Sequence, residues 1–404
     1  MAHSIIAFSL LSSVFVRILK IFFGNSIYVV ALLPLIVIYG YRLIVSNKKQ
    51  YHLHKIDLLI AVMLLLLFCN LFLSYVRGVF DYQLILVLYV IIPVLIYPFF
   101  RLIKYDINSF SQLIFKFTLI YSFYIVLEFC LYYFYPEFRN IGTSYLKDVV
   151  GTSNFISPYV EYPIIGYATK PWGPMLDASA SGAFLVVLFS FLYDSKRYVS
   201  LNFYRIVLFF CFLAIFLSGS KSAYVMFFIY IGLRTLVLSN EKRTFSNISM
   251  KTSVLLFLIS SAPFFVHFFF SDGLFYFYIN AILLEPLELL YSGILSNGLI
   301  VFFGLGQESS NNIIYGLGEV DYINAIFRYG LIFIFLFTGL MFYIILKSKV
   351  KSIQFSCLFT MFLLSMNHYQ VALKYPASIV LFMAVAVFVN EEYRSRSSCN
   401  PSKN

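Results

Sequence analysis

Long apolar runs alternate with short polar turns along almost the whole chain. Runs of about twenty apolar residues are long enough to cross a bilayer as helices. They predict about twelve transmembrane helices, at residues 5–23, 27–45, 56–76, 84–100, 113–135, 176–193, 206–217, 223–238, 253–270, 325–346, 355–366 and 375–390. The pattern therefore predicts an all-α polytopic membrane protein, with residues 1–404 forming a single integral membrane domain.

Two long polar segments interrupt this pattern, at residues 136–175 and 271–324. The second gathers Gly, Asn, Ser and acidic residues but keeps many aromatic and aliphatic ones. Long loops are usually functional or disordered, and an apolar content this high argues against disorder. Segment 271–324 is therefore predicted to be a folded cap that forms half of the active site.

Most of the basic residues lie on one side of the predicted helices. They collect in turns 42–55, 101–111, 194–205, 239–251 and 347–353 and at the C-terminus. Cytoplasmic loops of membrane proteins carry an excess of Lys and Arg. Both termini are therefore predicted to be cytoplasmic and both long segments periplasmic, although Arg17 and Lys20 run against this rule.

The composition is typical of a membrane protein and argues against a soluble, nucleic-acid-binding or metal-binding protein. The chain is 61% hydrophobic and 12% charged, where a soluble protein is about a quarter charged, and its mean hydropathy is +0.88. The net charge of +11 lies in turns and forms no basic patch with stacking aromatics, so no nucleic-acid partner is predicted. The five cysteines have no CxxC spacing and no HExxH motif occurs, so no metal or cofactor is predicted.

Two turns on the predicted outer face carry cations beside small or hydroxyl-bearing residues. Turn 218–222 reads SGSKS, where Lys221 and the start of the next helix would attract an anion; otherwise Lys221 only snorkels to water. Segment 170–182 reads KPWGPMLDASASG and brings Lys170 and then Asp177 to a helix start. Asp177 acts there either as a general base or as the cap of the helix.

Two further outer-face groups hold candidate chemistry. Asp321 and Arg328 are seven residues apart, a spacing that puts them on one helix face, either as functional groups or as an ion pair that ties the loop to the helix. His368, at a predicted hairpin tip, is either an acid or base near neutral pH or a solvated tip residue. Lys221, Arg328 and Lys170 together suit a diphosphate, because each cation adds charge-assisted hydrogen bonds.

Three stretches give the chain a resemblance to the O-antigen polymerase (Wzy) family, which is related to the O-antigen ligase group. The SGSKS turn resembles the family's Ser-x-Ser-Arg-Ser turn, and GPMLDASASGAFL resembles its Gly-Pro, acidic, small-residue helix start. FFGLGQESS followed by DYINAIFRYGLIFIFLF resembles the family's pattern after the large outer loop.

The resemblance implies a multi-helix protein of the bacterial inner membrane whose active site faces the periplasm. Its substrates would be oligosaccharides on undecaprenyl diphosphate, joined by metal-independent glycosyl transfer, and a chain-length regulator protein is a candidate partner. A base would deprotonate the acceptor hydroxyl while cations neutralise the leaving diphosphate. The implied roles are catalysis for Asp321, Asp177 and His368, and diphosphate binding for Lys221, Arg328 and Lys170.

The chain departs from the family pattern at two positions. Lys221 stands where Arg is usual, which loses bidentate phosphate contact. The ligase pattern has His where Asp321 stands, which favours a polymerase over a ligase.

A polysaccharide flippase or exporter is the alternative from another class of protein. Such a protein would show buried mid-helix cations, broken helices and often a repeat. A purely structural membrane protein leaves the two long outer segments unexplained.

Overall fold

The computed structural model describes residues 10, 14, 53–76, 90–103, 105–135, 137, 159–162, 166–175, 177–238, 302–304, 325–326, 328–348, 353–366 and 371–399. This part of the chain is mostly helical. The helices are α1 Lys55–Val76, α2 Ile92–Leu102, α3 Ile107–Phe134, α4 Ala178–Tyr193, α5 Leu201–Leu217, α6 Lys221–Leu238, α7 Leu331–Lys347, α8 Ile353–Ser365 and α9 Ala377–Cys399. Short 3₁₀ turns occupy Lys196–Tyr198 and Val371–Leu373. Strands β1 Tyr159–Tyr162 and β2 Gly166–Thr169 pair as an antiparallel hairpin, with Tyr159 opposite Thr169.

Two of the described helices are long and apolar enough to cross a membrane, over Lys55–Leu73 and Ile107–Phe134. Shorter apolar helices are α2, α4, α5, α7 and α8. Length and composition of this kind favour association with a membrane. The mostly helical character predicted from the apolar runs is thereby confirmed for the described residues.

The chain divides into two compact units, residues 1–46 with 106–229 and residues 47–105 with 230–404. In the first unit, α3 packs against α4 and α5. Aromatic rings fill the α3–α4 interface, where Tyr121 meets Phe184 edge to face at 5.4 Å between ring centroids. Asp106 starts α3 by accepting a hydrogen bond from the Ser109 peptide N–H at 2.8 Å, the capping geometry that an Asp provides.

In the second unit, α1 packs against α2 and α7, and α2 against α9. A buried polar cluster joins three of these helices. The Arg101 guanidinium of α2 donates to both oxygens of Asp57 in α1, at 3.0 and 3.2 Å, and to Oδ1 of Asn390 in α9 at 2.5 Å. Tyr97 adds a hydroxyl hydrogen bond to Asp57. Buried charges of this kind need such complete pairing.

The type of element departs from the sequence prediction at two places. The helix predicted at 325–346 is broken: Arg328 and Tyr329 are helical, Gly330 has φ +92°, and α7 starts only at Leu331. The segment predicted as loop 136–175 contains the β1–β2 hairpin. The predicted helices at 5–23, 27–45 and 253–270 lie outside the described residues, apart from Leu10 and Val14. Most of the loop 271–324 also lies outside them.

Candidate functional site

The turn after β2 carries the sole tryptophan of the chain and is fixed by a buried glutamate. Glu128 of α3 is 7% exposed. Its Oε2 accepts a hydrogen bond from the Gly173 peptide N–H at 2.8 Å, and its Oε1 accepts one from the Tyr132 hydroxyl at 2.7 Å. Trp172 packs with Tyr132 in one buried cluster. A carboxylate so placed holds the turn against α3 through charge-assisted hydrogen bonds.

Ser181 of α4 fixes the same turn from its other side. Its hydroxyl donates to the Trp172 carbonyl at 3.0 Å and accepts from the Met175 peptide N–H at 3.3 Å. Gly173 has φ +66°, and a Cβ at that position would lie 2.4 Å from Ser181 Oγ. Both facts require glycine here. The Gly-Pro pair that begins with Gly173 is therefore part of a tightly packed turn of defined geometry.

Asp177 caps helix α4. Its Oδ1 accepts hydrogen bonds from the peptide N–H groups of Ser179 at 2.9 Å and Ala180 at 3.2 Å, and its backbone is extended at φ −153°. The helix therefore begins with a regular side-chain cap. One carboxylate oxygen of Asp177 is thus engaged in holding the helix.

The SGSKS turn between α5 and α6 is held by its own hydroxyls. Ser218 Oγ donates to the Ile215 carbonyl at 2.7 Å, and Ser220 Oγ accepts from the Ala223 peptide N–H at 3.2 Å. Gly219 turns the chain with φ +59°. Ser220 and Ser222 share a hydrogen bond at 2.9 Å, and the exposed Lys221 is the first residue of α6. A cation, two hydroxyls and a helix start are groups that bind anions.

Two of the three motif-bearing stretches touch each other. A Cβ at Gly182 of α4 would lie 2.6 Å from Ser218 Oγ and 3.0 Å from the Cβ of Ala223. Helix α4 therefore approaches the SGSKS turn as closely as a glycine permits. Lys170, Asp177 and Lys221 all belong to this first unit.

An apolar cluster attaches the hairpin to the same part of the first unit. Phe129 of α3, Ala168 of β2 and Leu217 of α5 are buried against one another. Leu217 directly precedes the SGSKS turn, and Ala168 lies two residues before the partly exposed Lys170. The hairpin thus fixes the backbone that leads into Lys170.

The third motif-bearing stretch lies in the second unit, where Asn70 of α1 joins its two ends. The Asn70 carboxamide is fully buried and donates to the Phe303 carbonyl at 2.6 Å and to the Arg328 carbonyl at 3.2 Å. Gly304 and Gly330 approach each other there. The Arg328 side chain is partly exposed, and its Nε is buried without a hydrogen-bond partner in the described structure.

Sequence reasoning selected four residues that the structure describes, namely Lys170, Asp177, Lys221 and Arg328. Asp321 and His368 lie outside the described residues.

Glu128 and Asn70, which hold the motif-bearing turns, were not predicted from the sequence. The signal that could have found them is a polar residue inside an apolar run, which is costly in a membrane helix unless it has a partner.

Within the described ranges, no group of three or more His, Cys, Asp or Glu side chains gathers as a metal site. Comparison with known proteins adds no relative: no family model, no curated protein and no solved structure matches this chain.

Proposed function

We propose that the chain is a surface-polysaccharide polymerase of the O-antigen type, which joins undecaprenyl-diphosphate-linked repeat units by glycosyl transfer. The observation that carries the proposal is the close approach of Gly182 to Ser218. It brings the helix that follows the Lys170 segment against the turn that holds Lys221, and two cations on neighbouring segments would suit one diphosphate. The family resemblance of both stretches supplies the reaction class.

In this proposal the chain crosses a bacterial inner membrane with about twelve helices, and the site faces the periplasm. Two long apolar helices support it. So do the apolar side chains exposed along one face of α1, among them Leu58 at 68%, Leu65 at 63% and Phe72 at 66%. Their seven-residue spacing forms a stripe, and a large exposed apolar surface is rare unless lipid or protein covers it.

In the proposed reaction, an acceptor hydroxyl oxygen attacks the anomeric carbon of the lipid-linked chain. The bond between that carbon and the diphosphate oxygen breaks, the hydroxyl proton passes to a carboxylate or imidazole, and undecaprenyl diphosphate leaves. Asp321, Asp177 and His368 are the proposed bases. Lys170, Lys221 and Arg328 are proposed to stabilise the charge that develops on the leaving diphosphate.

The deciding experiment is deletion of the gene in its own host, followed by separation of the surface polysaccharide by size. A polymerase predicts lipid A core carrying a single repeat unit, because ligation continues without chain growth. Core without any repeat unit, together with long chains on the lipid carrier, would instead identify a ligase. An unchanged size ladder would reject both.

Residue-level tests use complementation of that deletion. Lys221→Ala and Arg328→Ala should each abolish long chains, since removal of one charge-stabilising donor costs about 10²–10³ in rate. Lys196→Ala, at an exposed lysine of the first unit outside the motifs, is the matched control and should leave the ladder unchanged. Long chains in both motif variants would defeat the site assignment. Labelling that maps residues 271–324 to the cytoplasm would defeat the whole topology.

A polysaccharide flippase or exporter is the second candidate function, and one observation favours it. The helix that carries Arg328 is broken at Gly330, and broken helices are typical of transporter binding sites. A transporter predicts that the deletion strain makes no polymer and retains single lipid-linked units on the cytoplasmic face. Their appearance on the periplasmic face in that strain would exclude it.

A further inference from the structure

Asn70 is a fully buried amide in an otherwise apolar helix. Helix α1 reads KIDLLIAVMLLLLFCNLFLSYV, and Asn70 has no solvent exposure. Its side-chain nitrogen donates to the Phe303 carbonyl at 2.6 Å and to the Arg328 carbonyl at 3.2 Å, residues 233 and 258 positions away. Both N–H donors of this amide are therefore spent on the backbone of the third motif-bearing stretch.

The backbone at both acceptors is irregular and tightly packed. Gly304 has φ +90° and Gly330 has φ +92°. A Cβ at Gly304 would lie 2.3 Å from Asn70 Nδ2, and one at Gly330 would lie 2.4 Å from the Phe302 carbonyl oxygen. Side chains at either position would separate the two backbone segments from Asn70. The amide and the two glycines form one assembly.

Each helix break creates carbonyl groups that lack an intrahelical partner. In apolar surroundings such carbonyls must be satisfied by other protein groups. Asn70 satisfies one carbonyl from each segment, and one of them is the carbonyl of Arg328 itself. The position of the Arg328 backbone therefore depends directly on Asn70.

One nitrogen of the Arg328 guanidinium, Nε, has no acceptor among the described residues. This nitrogen is buried, while the side chain as a whole is partly exposed. Buried donors are normally satisfied, and oxyanions such as phosphate match the guanidinium fork. An anionic ligand would supply the missing acceptor.

We infer that Asn70 is a positioning residue that holds Arg328 to receive the diphosphate of the lipid-linked substrate. The inference rests on the proposed function, in which Arg328 is a diphosphate-binding cation. Asn70 itself touches no substrate. It acts by fixing the Arg328 carbonyl, and thereby the start of the side chain.

The test measures binding of undecaprenyl diphosphate to the purified full-length chain, as the ligand-induced rise in unfolding temperature. Asn70→Leu removes both donors and keeps the branched shape of the side chain, and Arg328→Ala removes the cation. Each should raise the Kd at least about tenfold, the equivalent of one lost charge-assisted contact. The double variant Asn70→Leu/Arg328→Ala should lose no more than Arg328→Ala alone, because residues that act through one another are not additive.

Asn390→Leu is the matched control in the same unit. Asn390 is also buried, and its amide also donates to two carbonyls, those of Phe100 at 3.2 Å and Tyr105 at 3.1 Å. It should lower the unfolding temperature of the free protein but leave the Kd within about twofold of the wild-type value. If Asn70→Leu does not fold, Asn70→Ser, which keeps one donor, takes its place with the same expectations.

Each alternative result has a distinct meaning. Equal effects of Asn70→Leu and Asn390→Leu on the Kd, or additive effects of Asn70→Leu and Arg328→Ala, would overturn the positioning role while the proposed function stands. An unchanged Kd in Arg328→Ala would overturn the inference together with the diphosphate role of Arg328. A size ladder unaffected by gene deletion would overturn the proposed polymerase independently of any Kd.

Discussion

Replacement of Glu128 should release the turn that carries Trp172. Glu128→Gln keeps one acceptor oxygen and replaces the other by an amide that can only donate. In the structure both carboxylate oxygens accept, from the Gly173 peptide N–H and from the Tyr132 hydroxyl. Glutamine can therefore accept a hydrogen bond from only one of these two donors. Glu128→Ala satisfies neither.

The expected cost follows from the number of donors left without a partner. A buried donor that loses its acceptor costs about 1–3 kcal/mol. Glu128→Gln should therefore destabilise the turn by about that amount, and Glu128→Ala by about twice as much. Ser181 still holds the Trp172 carbonyl at 3.0 Å, so the turn should loosen locally while α3 and α4 remain packed.

Intrinsic fluorescence reports this loosening at one place, because Trp172 is the sole tryptophan of the chain and is 5% exposed. The variants should shift tryptophan emission to longer wavelength and increase quenching by acrylamide, more for alanine than for glutamine. Glu137→Gln, at an exposed glutamate beyond the same helix, is the control and should change neither. Wild-type emission and quenching in a folded Glu128→Ala protein would refute the anchoring role.

Three further changes test other contacts. Gly182→Ala should lower the unfolding temperature, because the added methyl group overpacks the contact with Ser218 and costs about 1–3 kcal/mol. Gly232→Ala is the control, since a Cβ there meets nothing within 4 Å, and it should not lower the unfolding temperature. Equal unfolding temperatures of the two variants would count against the close approach of α4 to the SGSKS turn. Asp57→Asn should cost about 3–5 kcal/mol, because it leaves the buried Arg101 without its carboxylate, and a chemical or thermal unfolding midpoint unchanged from wild type would contradict this. Asp177→Ser keeps a capping oxygen and Asp177→Ala does not. If long-chain synthesis survives in the serine variant alone, Asp177 acts as the helix cap. If long-chain synthesis is lost in both variants, Asp177 is favoured as a general base.

The apolar runs predicted most of the described helices closely, and the deviations have local causes. The run predicted at 56–76 is Lys55–Val76, and that at 176–193 is Ala178–Tyr193. Helix α3 starts at Ile107, earlier than the predicted residue 113, because Asp106 caps a first turn in which polar residues interrupt the apolar run. Helix α9 continues past the predicted residue 390 to Cys399, with an ion pair between Arg394 and Glu391 at 2.8 Å on its charged turns.

The motif-bearing segments could be selected from sequence, but their partners could not. Glycine, proline and hydroxyl residues mark turns, so SGSKS and GPMLDASASG were conspicuous among apolar runs. The contact of Glu128 with Gly173 joins residues 45 positions apart, and that of Asn70 with Arg328 joins residues 258 positions apart. No periodicity encodes such pairs, because they depend on which helices become neighbours.

Glu128 and Asn70 have the same structural role, which explains their positions in the chain. Each is a polar side chain within a helix long and apolar enough to cross a membrane, and each bonds the backbone of a distant, irregular, glycine-containing segment. An irregular backbone in apolar surroundings needs partners that the neighbouring helix backbones cannot give, since their own peptide groups are already paired. Only a side chain can supply them.

Polar residues in apolar helices also determine where irregular segments pack. Near hydrocarbon, packing of apolar side chains alone cannot decide where a broken helix docks, because lipid is an equally good apolar neighbour. A carboxylate or amide that must be paired does decide it, since the unpaired state is costly. Glu128 and Asn70 therefore specify the places of the turn at Gly173 and of the break at Gly330. A change at either residue should disturb the candidate site before it disturbs the helices.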